Sequence, residues 1–344
     1  MSPLASSIAG LVLGALGVVV AGVVLARSSD VIAARTNLGR VWVGSIFLAI
    51  ATSLPELVTD IAAVRLGAAD LAAGDLFGSG MANMLILAAI ALRPGAHLFH
   101  RAALDHTLSA SLAIVLTGIA AIAIQLGPET AVLNFGPGSL LLLSTYLIGT
   151  RILFRHSTVM REAGVEAELT GSEAAAAAEG AERAMPSLRA AVVRFLAATA
   201  VIIVAAPVFA SSAVRIAELT GIATSFIGTL LVGVTTSLPE LVTSIAAIRM
   251  GAPDLAIGNL LGSNAFNMVI FVPLDFVAGG VPLLGVVSHV HALTALVVVV
   301  MMAIVLGAVV YRTKVHGARL EPVSLLIMAI YVLGLYFVYR QGGA

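Results

Sequence analysis

Four runs of apolar residues in this sequence are long enough to cross a lipid bilayer as helices. They are Ile8–Ala26, Leu108–Ile124, Val192–Phe209 and Leu293–Val310. A spanning helix needs about 17–25 mostly apolar residues, and soluble domains rarely contain runs of that length. The runs are rich in Ala, Val, Leu and Gly and lack an alternation of period two, which favours helices over barrel strands. The sequence therefore predicts an all-α polytopic membrane protein.

The composition supports this prediction and narrows the function classes. Hydrophobic residues make up 60% of the chain and charged residues only 10%, whereas soluble domains carry roughly a quarter charged residues. The formal net charge is zero, which argues against nucleic acid as a partner. The chain has no cysteine, so neither disulfides nor thiolate metal sites are available. No basic segment precedes the first apolar run, which we interpret as a spanning helix rather than a cleaved signal.

Ten transmembrane helices are predicted, and one polar segment divides them into two halves. The predicted spans cover residues 5–27, 40–64, 69–92, 107–125, 135–154, 189–213, 222–248, 253–277, 290–311 and 322–340. The first five-helix half is residues 1–155, the linker is residues 156–188, and the second half is residues 189–344. The polar, alanine-rich linker is predicted to be flexible or partly helical.

Basic residues predict the orientation, because they stay on the cytoplasmic side of a membrane. With the N-terminus outside, only Arg65, Arg215 and Arg340 fall on the outer side, against roughly 15 basic residues inside. Both termini are therefore predicted to be extracytoplasmic and the linker cytoplasmic. The small size suggests the cell (inner) membrane of a prokaryote.

The two halves contain copies of one motif. Residues 44–87 and 228–271 align at a constant offset of 184, and about 25 of the first 43 positions are identical. Such similarity exceeds what a shared apolar composition produces, so it indicates a duplication. Five predicted spans, an odd number, separate corresponding points. The copies are therefore predicted to enter the membrane from opposite faces, which is the inverted-repeat arrangement of secondary transporters with a site near the midplane.

Each copy carries Thr-Ser-Leu-Pro-Glu within an apolar helix. The proline removes a backbone donor and frees carbonyls near Ala51 and Thr235, which are tolerated at membrane depth only in protein or against a cavity. Hydroxyl groups three and four residues before Glu56 and Glu240 share the helix face of each carboxylate. The polar residues of the two copies are Thr52, Ser53, Glu56, Ser79 and Asn83 in the first, and Thr236, Ser237, Glu240, Ser263 and Asn267 in the second.

These oxygen-rich side chains predict a site for a hard cation. Such ligands suit Ca²⁺, which takes about six to eight oxygens, and also Na⁺. A carboxylate at mid-membrane costs at least 2.5–3.5 kcal/mol and needs a counter-charge or a proton. Alternatively, a single buried glutamate could be a protonated hydrogen-bond donor, and each hydroxyl could bond back to its own helix.

Asp70 and Asp254 are predicted to cap helices after turns at Gly67 and Gly251. Glycines spaced four apart are predicted to allow close helix packing; they are Gly74, Gly78, Gly258 and Gly262.

With these residues in view, the chain resembles the cation/Ca²⁺ exchanger superfamily, in particular its Na⁺/Ca²⁺ exchanger branch. The resemblance covers both copies of G-x₇-T-S-L-P-E followed by G-S-x₃-N. It implies alternating access, in which Na⁺ entry drives Ca²⁺ out. It also implies that Glu56 and Glu240 are shared Ca²⁺ and Na⁺ ligands, with Asn83 and Asn267 at the centre. The remaining implied ligands are the hydroxyls of Thr52, Ser53, Ser79, Thr236, Ser237 and Ser263 and the carbonyls near Ala49 and Gly233.

The first copy departs from the family pattern. It contains Asp75 and Gly80 where the family has asparagines, and Asp60 where the second copy has Ser244. We interpret the two aspartates as capping or lining the extracellular mouth, with a role as outer-shell or proton-handling groups as the alternative. Asn267 stands where potassium-dependent relatives have Asp, which argues by resemblance against K⁺ co-transport.

Other functions stay open at this stage. H⁺-coupled antiport or transport of another cation is the nearest alternative, and a cation channel or an intramembrane enzyme belongs to a different class. An enzyme would need a base or metal set, but the seven histidines are predicted at helix ends or in loops. We expect no catalytic residues and no cofactor, because the transported Na⁺ and Ca²⁺ bind as substrates. The expected partners are these ions and the bilayer, and a monomer is the expected state.

Overall fold

The computed structural model describes residues 3–36, 38–92, 98–101, 105–128, 130–168, 185–220, 236–311 and 321–342. Within these ranges the chain is helical, and strand-like pairing is confined to one isolated bridge between Val132 and Phe135. The described helices are α1 (Pro3–Thr36), α2 (Arg40–Arg65), α3 (Ala69–Ala91), α4 (Leu98–Arg101), α5 (His106–Leu126), α6 (Pro137–Glu168), α7 (Leu188–Thr220), α8 (Leu238–Arg249), α9 (Pro253–Val277), α10 (Leu283–Val286), α11 (Val290–Tyr311) and α12 (Pro322–Gly342).

Eight of the described helices are long and apolar enough to cross a membrane: α1, α2, α3, α5, α6, α7, α9 and α11. The apolar part of α12 is shorter and covers Pro322–Val338. The span predicted at 222–248 lies partly outside the described residues, and its described part forms α8. The prediction of an all-helical integral membrane protein is therefore confirmed.

Several helices extend beyond their predicted ends. α1 continues to Thr36 instead of residue 27, and α6 continues to Glu168, inside the segment predicted as a linker. The prediction placed each end where the apolar run stops. Alanine, arginine and glutamate are good helix formers, however, so the backbone can stay helical in polar sequence after the bilayer has been crossed.

The duplicated turns after the two motif helices have the same geometry. Gly67 and Gly251 have φ values of 78° and 75°, in the left-handed region where glycine is favoured. In each turn the next residue returns to the helix, with Ala68 N donating to Ala63 O and Ala252 N donating to Ala247 O, both at 2.9 Å. The predicted turns are confirmed, and they start α3 and α9 at equivalent points of the two copies.

α9 lies at the centre of the described structure and contacts α2, α3, α5 and α8. Its approach to α2 depends on glycine, since a Cβ atom on Gly258 would lie 2.9 Å from the Val41 carbonyl oxygen and one on Gly262 would overlap the backbone of Ser45. The facing part of α2 is a π-helical turn, Gly44–Leu48. Such turns are rare, occur mostly inside α-helices and are frequent at functional sites. This close contact holds the start of one motif against the second helix of the other.

Candidate cation site

The two copies of the motif meet through side chains. The hydroxyl of Ser53 donates to Oε1 of Glu240 at 3.4 Å, which joins the first copy to the acid of the second. The hydroxyls of Thr52 and Ser263 also lie within interaction range of that carboxyl group. Glu56 is close enough for the charge of Glu240 to act on it directly. The structure therefore brings the two glutamates to one place.

The described candidate ligands are enclosed by protein. Glu56 and Glu240 are each 1% exposed, and both have one carboxylate oxygen, Oε2, with no hydrogen-bond partner among the described residues. The other predicted side chains are at most 2% exposed; they are Thr52, Ser53, Ser79, Asn83, Thr236, Ser237, Ser263 and Asn267. Ala49 is fully buried, and Gly233 lies outside the described residues.

Matching hydrogen bonds connect the two halves of the network. Thr52 Oγ1 donates to Asn259 Oδ1 at 3.1 Å, and its equivalent Thr236 donates to Asp75 Oδ1 at 2.9 Å. The hydroxyls of Thr52 and Ser263 lie 3.4 Å apart, as do those of Thr236 and Ser79. The sequence duplication therefore corresponds to a duplicated polar arrangement in space.

Backbone carbonyls contribute on the α2 side. Ala49 O lies 3.2 Å from Thr52 Oγ1 and 3.5 Å from Ser263 Oγ. Ala49 directly follows the π-helical turn, and its carbonyl oxygen lies beside hydroxyls of both copies. The Ala49 carbonyl thus lies beside the polar network, and its role as a ligand stays a prediction.

The two asparagines predicted at the centre differ in their contacts. Asn83 Nδ2 donates to Asn264 Oδ1 at 2.9 Å, and Asn264 Nδ2 donates to Gly80 O at 3.3 Å. Asn264 is the residue of the second copy that corresponds to Gly80, and its amide group binds both Asn83 and the Gly80 carbonyl, where the first copy has no side chain. Asn267 is fully buried, and neither polar atom of its side chain has a hydrogen-bond partner within the described ranges.

The buried ionisable side chains of the two motifs are all acidic among the described residues. Four acidic side chains of the motifs are buried, Glu56, Asp60, Asp75 and Glu240, and among the described residues no lysine or arginine is buried. Buried carboxylates without a positive partner are strongly disfavoured, so they need cations or protons. The donor set consists of carboxylate, amide, hydroxyl and carbonyl oxygens, the ligands that hard cations prefer.

Comparison with known proteins identifies the family of the chain. The family described as Sodium/calcium exchanger protein matches residues 6–166 and 190–340, most of the chain. The chain belongs to this family. Structures of the sodium-calcium exchanger NCX_Mj have the same fold; one, soaked with 100 mM Na⁺ and 10 mM Sr²⁺, superposes with a TM-score of 0.71 at 21% identity and covers 97% of this chain and 98% of its own.

Curated relatives of this exchanger-family chain include bacterial and archaeal proteins. It is 28% identical to the Inner membrane protein YrbG of Escherichia coli over 267 residues, 77% of either chain. It is 43% identical to the Sodium/calcium exchanger MaX1 of Methanosarcina acetivorans over 76 residues, 22% of either chain. The chain is thus an integral membrane protein of an exchanger family, and a bacterial inner membrane protein is among its relatives.

Two asparagines of the network were missed by the sequence analysis. Asn259 and Asn264 are at most 1% exposed, and Asn259 Nδ2 also donates to Thr243 Oγ1 at 3.0 Å. Both occupy the asparagine positions of the family pattern in the second copy. These positions in the family pattern are the sequence signal that could have identified them.

The interpretation of Asp60 and Asp75 as residues of the extracellular mouth is wrong. They are 2% and 6% exposed, and they lie close enough to interact with each other. Asp60 is one helical turn beyond Glu56, so it stays on the buried face of α2. Asp75 is buried because α3 turns that face toward Thr236.

The predicted capping role of Asp70 and Asp254 is also wrong. The N-cap residues are Ala68 and Ala252, neither with a side-chain bond, and the aspartates lie in the first turn. Instead, Asp254 Oδ1 pairs with His106 Nε2 at 2.9 Å. In the other copy, Asp70 Oδ1 pairs with His291 Nε2 at 3.1 Å.

Proposed function

We propose that this protein is a secondary antiporter that exchanges Na⁺ for Ca²⁺ across the membrane. One observation carries the proposal: the buried acids of both motif copies share one network, and the described residues around it include no buried lysine or arginine. A site that lacks its own positive charge requires cations as cargo or protons. Membership of the Sodium/calcium exchanger protein family supports cations.

In the proposed site, Glu56 and Glu240 bind the ion from opposite copies. Two carboxylates neutralise one Ca²⁺, and the same oxygens serve Na⁺. Additional oxygens come from the hydroxyls and amides of the two motifs and from the Ala49 carbonyl. We assign these roles to Thr52, Ser53, Ser79, Asn83, Thr236, Ser237, Ser263 and Asn267, with the Gly233 carbonyl as the counterpart of Ala49.

The proposed topology is ten spans arranged as two inverted five-helix repeats, with both termini extracytoplasmic. The matching hydrogen bonds of Thr52 and Thr236 support a pseudo-symmetric site. In an inverted repeat, exchanging the conformations of the two halves opens the same site to the other face. Alternating access follows from that exchange, and a monomer contains every part of it.

Liposome transport tests the proposal against H⁺-coupled antiport. Purified protein should take up ⁴⁵Ca²⁺ when an outward Na⁺ gradient is imposed, and should show little uptake with equal Na⁺ on both sides. A pH gradient in the absence of Na⁺ is the parallel condition. Uptake that follows the pH gradient and ignores Na⁺ would replace the proposed coupling by proton coupling. Uptake of ⁴⁵Ca²⁺ with neither a Na⁺ gradient nor a pH gradient would indicate a channel.

A further inference from the structure

The first motif copy contains two buried carboxylates that the second copy lacks. At the constant offset of 184, Asp60 corresponds to Ser244 and Asp75 to Asn259. In the second copy this pair is neutral and bonded, because Asn259 Nδ2 donates to Ser244 Oγ at 3.3 Å. In the first copy the same place holds two acids whose carboxyl groups are within hydrogen-bonding contact of each other, so either a proton or a cation must lie between them.

The acid pair leaves oxygen atoms unsatisfied. Oδ2 of Asp60 and Oδ2 of Asp75 are both buried and have no hydrogen-bond partner among the described residues. The side chains are 2% and 6% exposed, so water cannot provide the missing interactions from the surface. A buried carboxylate whose oxygens lack donors is costly unless a cation or a proton binds there.

The described ion pairs leave this place without a positive side chain. They join Arg40 to Asp30, His106 to Asp254, His156 to Asp105 and His291 to Asp70. Glu56 of the proposed site is also close enough for the charges of Asp60 and Asp75 to act on it. Its own negative charge increases the need for a positive ion and excludes it as a counter-charge.

We propose that Asp60 and Asp75, with the hydroxyl oxygen of Thr236, form a second hard-cation site beside the one between Glu56 and Glu240. The proposal rests on the proposed cation transport and extends it. Thr236 connects the two sites, because its hydroxyl donates to Asp75 Oδ1 at 2.9 Å and lies 3.4 Å from Ser79. Only the first copy has this acid pair, so the exchanger binds one cation more than a symmetric pair of motifs would bind.

The ligand chemistry suits Na⁺ and Ca²⁺ alike, since both prefer carboxylate and hydroxyl oxygens. Equilibrium binding of ²²Na⁺ and of ⁴⁵Ca²⁺ to the purified protein, each at fixed pH, distinguishes the two. The informative variant combines Asp60→Ser with Asp75→Asn, so that both positions of the first copy carry the residues found at the equivalent positions of the second copy. We expect this variant to bind one cation fewer per chain, and the isotope that loses a site identifies the occupant.

A second variant transfers the acid pair instead of removing it. Ser244→Asp with Asn259→Asp, added to the first variant, should restore the lost cation at the equivalent place in the second copy. Asp30→Asn removes a carboxylate from a half-exposed ion pair with Arg40 and should leave the cation count unchanged. Size-exclusion profiles and melting temperatures establish that each variant is folded.

Equal ion counts for the unmodified protein and the Asp60→Ser, Asp75→Asn variant would overturn the proposal. So would a variant that changes proton uptake but no ion count, because the acids would then hold a proton. If the neutralised variant fails to fold, the transferred pair is tested in the unmodified protein, where it should add one cation and where no gain refutes the site. Na⁺-driven uptake by the unmodified protein tests the proposed function separately.

Discussion

Adding one methyl group to Gly262 should both destabilise the protein and weaken the proposed cation site. A Cβ atom there would overlap the backbone of Ser45 in the π-helical turn of α2. A backbone group cannot rotate away, so α9 must move. Overpacking of a buried contact costs about 1–3 kcal/mol, and the upper part of that range is expected here because the obstacle is backbone.

The same displacement affects the neighbouring residue Ser263. Its hydroxyl lies 3.5 Å from the Ala49 carbonyl oxygen and 3.4 Å from the Thr52 hydroxyl, already at the limit of hydrogen bonding. A shift of a few tenths of an ångström therefore breaks these contacts. Loss of about 1.4 kcal/mol of binding free energy would weaken the apparent Ca²⁺ affinity about tenfold.

Thermal unfolding in detergent and ⁴⁵Ca²⁺ uptake in liposomes measure the two effects of Gly262→Ala. The matched control is Gly118→Ala in α5, where a Cβ atom meets no described atom within 4 Å. Alanine is favoured over glycine in helices by about 1 kcal/mol, so the control should be at least as stable as the unmodified protein. Equal melting temperatures and equal uptake for the two variants would refute the packing argument.

Three further changes probe other parts of the structure. Asp275→Asn should lower the free energy of unfolding by about 1.5–3 kcal/mol, because the buried carboxylate accepts from Gly136 N and Leu283 N at 2.8 Å each; an unchanged denaturation midpoint would contradict this. Burial raises the pKa of Glu321, before α12, so it favours the protonated acid in the folded state. The free energy of unfolding should therefore fall as the pH rises from the pKa of Glu321 in the unfolded chain through its higher pKa in the folded protein. Glu321→Gln should flatten that part of the profile of melting temperature against pH. Asn259→Ala removes one hydrogen-bond partner from each of Thr52 and Thr243 and should lower Na⁺-driven uptake at least tenfold; uptake at the unmodified rate would exclude Asn259 from the site.

The sequence was sufficient for the helical class and for most of the site. Apolar runs of bilayer length predict helices regardless of packing, and the duplicated motif indicates which polar residues belong together. The sequence alone indicated that Glu56 and Glu240 lie together, because a duplication with an odd number of intervening spans is typical of inverted repeats, which share one site near the membrane midplane. Their common burial in the structure agrees with that reasoning.

Contacts between helices could not be predicted in the same way. Periodicity shows which residues share a helix face, but not which neighbouring helix that face meets. Asp60 and Asp75 lie on separate helices, so their proximity depends on packing. The glycines show the same limit: Gly258 and Gly262 are in close contact with α2 as predicted, whereas no described residue comes within 4 Å of a Cβ atom on Gly78.

Convergence of the two motif acids on one transported ion is tested most directly by ⁴⁵Ca²⁺ uptake with single charge-neutral variants. Glu56→Gln and Glu240→Gln keep the side-chain shape and remove one negative charge each. If both acids bind the same ion, either variant alone should abolish uptake driven by an outward Na⁺ gradient while remaining folded by size exclusion. Na⁺-driven uptake at the unmodified rate in either folded variant would contradict a shared site.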